Sequence, residues 1–158
     1  VLESLLAILA ETCQGARVLD LFAGTGEVGL RLQDQGAAEV TFVEFEARVA
    51  ERLRQRLRAR KPGQWRLVVG KIPGVLSRLE GRFGLMVADP PYDWASPSTL
   101  LPALASLAEP GAVLVVEHHH KTRYDDAAGW RLYRQQKYGE TRLSFFRFDD
   151  EPTSDVYP

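Results

Sequence analysis

At 158 residues, with 45% hydrophobic residues and a formal net charge of -1, the chain has the composition of one globular domain. That length buries roughly two thirds of the unfolded surface. No apolar run approaches the roughly 18–20 residues of a membrane span, and no signal-peptide pattern is present, so no membrane partner is expected. Near-neutrality argues against wholesale wrapping of nucleic acid, and a single cysteine, Cys13, permits no internal disulfide, which suits a cytoplasmic protein.

Leu2, Leu5, Leu6, Ile8 and Leu9 recur at helical spacing, predicting a helix over 2–12 that Gly15 stops. Arg17 to Phe22 reads as a short apolar strand, followed by Ala23-Gly24-Thr25-Gly26-Glu27-Val28-Gly29 and a helix to about Gln35. A second strand, Val40 to Val43, ends in Glu44. The next helix, 46–60, carries Val49, Leu53 and Leu57 on one stripe, and Pro62-Gly63 ends it. Arg48, Arg52, Arg54, Arg56, Arg58, Arg60 and Lys61 crowd this helix against Glu51 alone, as a solvated face or, alternatively, a phosphate-contacting patch.

Trp65 to Val69 is a third strand, with a short helix near 74–80. The fourth strand, Phe83 to Ala88, runs into Asp89-Pro90-Pro91-Tyr92. A helix over Leu100 to Ala108, a turn at Pro110-Gly111 and a fifth strand, Ala112 to Glu117, follow. Trp130 to Tyr138 and Thr141 to Phe148 alternate apolar and polar around Gly139-Glu140, the pattern of a β-hairpin. Strands separated by helices predict a Rossmann-like, doubly wound α/β fold, here a mostly parallel seven-stranded sheet closed by a C-terminal antiparallel hairpin. One domain over 1–148 and a flexible tail over 149–158 are expected.

Gly24-x-Gly26-x-x-Gly29 lies between a strand and a helix, with Glu44 at the end of the next strand. In this pattern the first glycine permits the turn, the second admits a ligand to the backbone, and the third allows close helix–strand packing. Glu44 is placed to accept hydrogen bonds from ribose hydroxyls. Asp20 would repel a pyrophosphate yet can hold an amino group, which favours S-adenosylmethionine over a dinucleotide. Two prolines after a core strand end its ladder and leave a stiff corner at the edge of the sheet where ligands bind. There an acid, rigid carbonyls and an aromatic ring suit a planar amino group gripped at both N–H bonds.

His118-His119-His120 reads as a polar loop after the fifth strand, placed to touch substrate, and no metal site is expected. Lys121 and Arg123 are candidate phosphate contacts. Tyr124, Trp130 and Tyr133 are read as core or hairpin residues.

Together, Val18 to Gly26, Gly36-Ala37-Ala38, Val43-Glu44, Asp89-Pro90-Pro91-Tyr92 and the closing Tyr138-Gly139-Glu140-Thr141 before Leu143-Ser144-Phe145-Phe146 carry a resemblance. The chain resembles the RsmD-type family of bacterial 16S rRNA guanine-N2 methyltransferases, within the class I methyltransferase fold, from about Val18 to Phe148. The resemblance implies a monomeric enzyme that methylates an exocyclic base amino group, with 16S rRNA or the assembling small ribosomal subunit as partner. A DNA adenine-N6 methyltransferase or a catalytically silent RNA-binding module of the same fold are the alternatives. Asp89, Pro90, Pro91 and Tyr92 are the expected catalytic corner. Asp20, Phe22, Ala23, Gly24, Gly26, Glu44, Phe45, Lys71 and Ile72, bordered by Asp89, are the expected cofactor residues. Related enzymes often place an acid after the third strand to hold adenine. Here Val69-Gly70-Lys71-Ile72 has none, so backbone near Lys71 and packing on Phe45 or Ile72 are expected to serve. Family members also carry a basic N-terminal arm with an Arg-Pro-Thr segment, of which Val1 to Leu9 matches only the helical end.

Overall fold

A computed structural model describes residues 1–91, 94 and 97–149. Its elements are α1 (Leu2–Ile8), β1 (Arg17–Leu21), α2 (Glu27–Asp34), β2 (Glu39–Glu44), α3 (Ala47–Leu57), β3 (Trp65–Val69), β4 (Phe83–Ala88), α4 (Pro97–Ala105), β5 (Ala108–His119), β6 (Trp130–Tyr138) and β7 (Thr141–Phe148). The strands form one sheet in the order β3-β2-β1-β4-β5-β7-β6. β1 to β5 are mutually parallel, while β7 runs antiparallel to β5 and β6 antiparallel to β7. This is the Rossmann-like sheet with its closing hairpin, the class I methyltransferase fold.

Alternation along the strands builds two apolar layers. On one face Val18, Val40, Phe42, Leu85 and Val87 pack with Leu5, Leu30, Leu53 and Leu57 from α1, α2 and α3. On the other, Leu19, Leu21, Met86 and Leu114 pack with Leu100 and Leu104 of α4 and with Val75 and Leu76 of a 3-10 turn, Gly74–Arg78. Because both faces are covered, the central strands read as near-continuous apolar runs. The free edge, β6, exposes Arg131, Arg134 and Lys137, charges that discourage pairing with another strand.

Several boundaries differ from the sequence expectation. α1 ends at Ile8, and Leu9 and Cys13 are buried in the turns that follow, where the Cys13 thiol points to the Ala10 carbonyl at 3.6 Å. α3 stops at Leu57, and the expected helix near 74–80 is the 3-10 turn. α4 begins at Pro97, since proline's missing N–H costs nothing in a first turn. The expected turn at Pro110-Gly111 lies inside β5, where a register shift between Phe83 and Leu85 absorbs the proline. His118 and His119 therefore belong to β5 and not to a loop.

The basic helix is a solvated face laced with ion pairs. Arg54 meets Glu51 at 3.6 Å, Arg60 meets Asp34 at 2.7 Å, and Arg56 meets Glu27 at 3.5 Å. Arg56 also donates to the Thr25 carbonyl at 2.6 Å, tying α3 to the Gly-rich turn.

The order of strands reverses between β1 and β4, whose register pairs Leu21 with Ala88. Phe22 and Asp89 therefore leave the sheet side by side, at the switch point where open α/β sheets bind ligands.

Candidate active site at the carboxyl end of the sheet

The turn after β1 is held by backbone and by one acid. Phe22, Gly24 and Gly26 take positive φ values of 58°, 58° and 78°, and the Ala23 N–H donates to the Val43 carbonyl at 2.9 Å. Glu44, only 6% exposed, accepts from the Gly24 N–H at 2.8 Å through Oε1 and from the Glu46 N–H at 3.0 Å through Oε2. It joins the turns after β1 and β2, with lone pairs left over, since an ionised carboxylate has about four acceptor sites.

The three glycines differ in the space around them. A Cβ on Gly26 would stand 2.4 Å from Leu53 Cδ1, so this glycine packs against α3. Gly24 has nothing within 4 Å on that side and is the open one. Gly29 serves as expected: a Cβ there would lie 2.4 Å from the Phe42 ring and 2.8 Å from Asp20 Oδ2.

Asp20, 4% exposed, accepts from the Gly29 N–H at 3.0 Å. Burial pushes its carboxyl up to about 8, with Asp89 and Glu44 raising it further and the Gly29 hydrogen bond opposing them. Burial thus favours the protonated form of Asp20, a latent anion beneath the turn.

Two cavities open on either side of the Asp89 corner. The first, about 280 Å³, has apolar walls from Phe22, Val43, Phe45, Ile72 and Trp94, with Gly70 and Lys71 along one side. The Phe22 and Trp94 rings meet edge to face at 5.2 Å, and the Trp94 N–H donates to the Pro91 carbonyl at 2.9 Å. Phe45 is left exposed at the rim. The second cavity, about 540 Å³, is polar, with Asp89, Pro90, Glu117, His118, Lys121 and Tyr124 on its walls. Pro91 and Trp94 belong to both, so they form a shared partition. A third space of about 40 Å³ connects Asp20, Asp89 and Glu117 beneath Leu5. Desolvation raises the carboxyls of Asp89 and Glu117 above the usual range.

His118 has one tautomer that satisfies its neighbours. Its Nδ1 lies 2.8 Å from the His119 carbonyl, which can only accept, so Nδ1 carries the hydrogen. Nε2 then accepts from the Ser144 hydroxyl at 2.7 Å, and Ser144 Oγ accepts in turn from Gln135 Nε2 at 2.9 Å. Burial lowers the His118 pKa, which keeps this neutral form. Its ring lies 4.5 Å from Tyr124. His119 accepts from the Lys121 N–H and stacks on His120, so the three rings do not converge.

The structure therefore gathers the expected residues into two groups. Phe22, Phe45, Lys71 and Ile72 line the apolar cavity, while Asp89 and Pro90 line the polar one and Pro91 divides them. Ala23, Gly24 and Glu44 form the adjoining turn. Tyr92 lies outside the described residues. Lys121 reaches the polar cavity, but Arg123 pairs with Asp125 at 2.7 Å on the surface. Tyr124 and Trp130 are buried; Tyr133 is exposed beside Arg147. The sequence reading missed Trp94, Glu117 and Ser144, and it placed His118 in a loop rather than in β5. Glu117 alone had a signal, an acid ending an apolar strand as Glu44 does.

The family model described as Conserved hypothetical protein 95 matches residues 1–147. The chain is 26% identical over 157 residues to "Ribosomal RNA small subunit methyltransferase D" of Escherichia coli K12, covering 98% of this chain and 79% of that protein. It is also similar to the solved structure of the putative methyltransferase yhhF from Escherichia coli, with a TM-score of 0.82 at 25% identity over 95% of this chain and 86% of that one. An RNA methyltransferase from Salinibacter ruber, solved with S-adenosyl-L-homocysteine, shares the fold with a TM-score of 0.72 at 16% identity, covering 99% and 95% of the two chains. With nearly the whole chain matched and the site built at the switch point, the protein belongs to the Conserved hypothetical protein 95 family, the RsmD-type family.

Proposed function

We propose that the protein is an S-adenosylmethionine-dependent RNA methyltransferase that methylates the exocyclic amino group of a guanine in small-subunit rRNA. The observation that carries this is the partition at Pro91 and Trp94, with an apolar slot on one side and an acid-lined cavity on the other. The named relative acts on small-subunit rRNA, and the Salinibacter enzyme binds the demethylated form of the same cofactor.

The residues present fit that cofactor. Phe45, Ile72 and Trp94 offer flat and branched apolar contact to an adenine, with the Lys71 backbone in place of the missing acid. Glu44 has acceptor sites left for ribose hydroxyls, and open Gly24 lets the ligand approach. Asp20 beneath the turn favours a cationic methionine end. S-adenosylmethionine held there supplies a methyl group on a positively charged sulfur.

The chain's own work is to prepare the acceptor. An amino nitrogen on a purine is a poor nucleophile because its lone pair is delocalised into the ring. The Asp89 carboxylate and the Pro90 carbonyl, accepting its two N–H bonds, turn that lone pair out of the ring plane. With cofactor bound, the nitrogen would take the methyl group as the sulfur kept the electron pair of the broken bond, and the surplus amino proton would pass to Asp89, whose raised pKa suits it to take one. Tyr92 is proposed to stack on the base. Positioning the reacting groups can itself contribute about 7–11 kcal/mol. A base inside a helix cannot reach this cavity, so the target must be unpaired or flipped out.

The test is mass spectrometry of rRNA nucleosides from cells lacking the gene, with the purified protein restoring the mark in vitro. Loss of one N2-methylguanosine is expected. Loss of an N6-methyladenine in DNA instead would overturn the proposal.

A further inference from the structure

Asp89 has a neighbour that the reaction as described leaves unused. In the parallel pairing of β4 with β5, Ala88 lies opposite Val116, so Asp89 and Glu117 leave the sheet together. Adjacent strands are about 4.8 Å apart. Both residues line the polar cavity. Among the described residues neither carboxylate accepts a hydrogen bond or forms an ion pair, although Glu117 is partly buried. The rest of the wall does not neutralise them. His118 is neutral, with both ring nitrogens engaged by His119 and Ser144, and Lys121 forms no ion pair with either acid. Both carboxylates open onto the cavity, where a donor on a ligand can take the place of water.

Two adjacent acceptors call for two adjacent donors. Guanine presents them, because its ring N1–H stands next to its 2-amino group. The amino groups of adenine and cytosine stand next to a ring nitrogen that carries a lone pair, which a carboxylate repels. We propose that Glu117 accepts the N1–H of the target base while Asp89 holds the amino group, and that Glu117 thereby selects guanine. The assignment rests on the base-amino reading above and extends it to a specificity-determining residue.

The experiment places either guanosine or 2-aminopurine at the methylated position of a small-subunit rRNA transcript. 2-Aminopurine keeps the 2-amino group but has a lone pair at N1. Wild-type protein is expected to prefer guanosine by about a hundredfold or more, since sites built around a donor reject analogues that lack it. In Glu117→Gln the amide can accept from one base and donate to the other, so that preference should collapse toward unity while cofactor affinity, measured by calorimetry, stays within about twofold. Glu117→Asp, which keeps the charge, should retain a preference for guanosine. If Glu117→Gln keeps the wild-type preference, or loses cofactor affinity with the preference unchanged, the assignment to Glu117 is wrong and the methyltransferase reading stands. If wild-type protein methylates no guanosine, the underlying reading fails and takes this one with it.

Discussion

The two cavities flanking the Pro91–Trp94 partition solve different recognition problems with different chemistry. The apolar one presents rings and branched side chains, which reward a flat ligand of the right shape and tolerate modest change. The polar one presents carboxylates without partners, which reward a particular pattern of donors and penalise its absence. Affinity is expected to be set on the first side, and reaction and selectivity on the second.

Substitutions can break that division. Asp89→Ala should cost about a hundredfold or more in turnover, the scale of losing one group that acts on the transition state. Its cofactor affinity should stay near wild type, and a variant that bound cofactor poorly would merge the two functions. Glu44→Ala reverses the pattern. Losing charge-assisted bonds to Gly24 and Glu46 should weaken cofactor binding by about 10- to 100-fold, with kcat little changed at saturation. Phe45→Ala, at the exposed rim, should cost about fivefold in cofactor affinity, the low end of aromatic stacking.

A separate expectation, read on the fold rather than on the site, is a pH slope in stability without cofactor. Asp20 is raised from 3.8 to about 8, so the folded state keeps a proton that the unfolded chain releases. The stabilisation is present at low pH and lost as pH rises between those values. Asp89 and Glu117 act in the same direction. Melting temperature should therefore fall from pH 5 to 8, and Asp20→Asn, which keeps an acceptor for Gly29, should flatten the trend.

The sequence made some of this plain for local reasons. Gly139-Glu140 between two alternating runs specified the β6–β7 hairpin to the residue, and the apolar run before Asp89 specified β4. Pro110 concealed the start of β5, because a bulge that tolerates proline depends on the partner strand. The contact of Gly26 with α3 was hidden, because local spacing does not say which glycine faces Leu53. Trp94 gave no periodic signal; its place is set by its backbone N–H on the Pro91 carbonyl and its ring against Phe22. Glu117 acquires its neighbour only through the register of β4 with β5.

The proton on Asp20 has a calorimetric consequence. A cation that settles beside this acid at neutral pH favours its charged form and expels the proton into solution. The buffer takes up that proton with its own heat of ionisation. Titrations of cofactor should therefore give different apparent enthalpies in phosphate and in Tris at the same affinity, and Asp20→Asn should make the two agree.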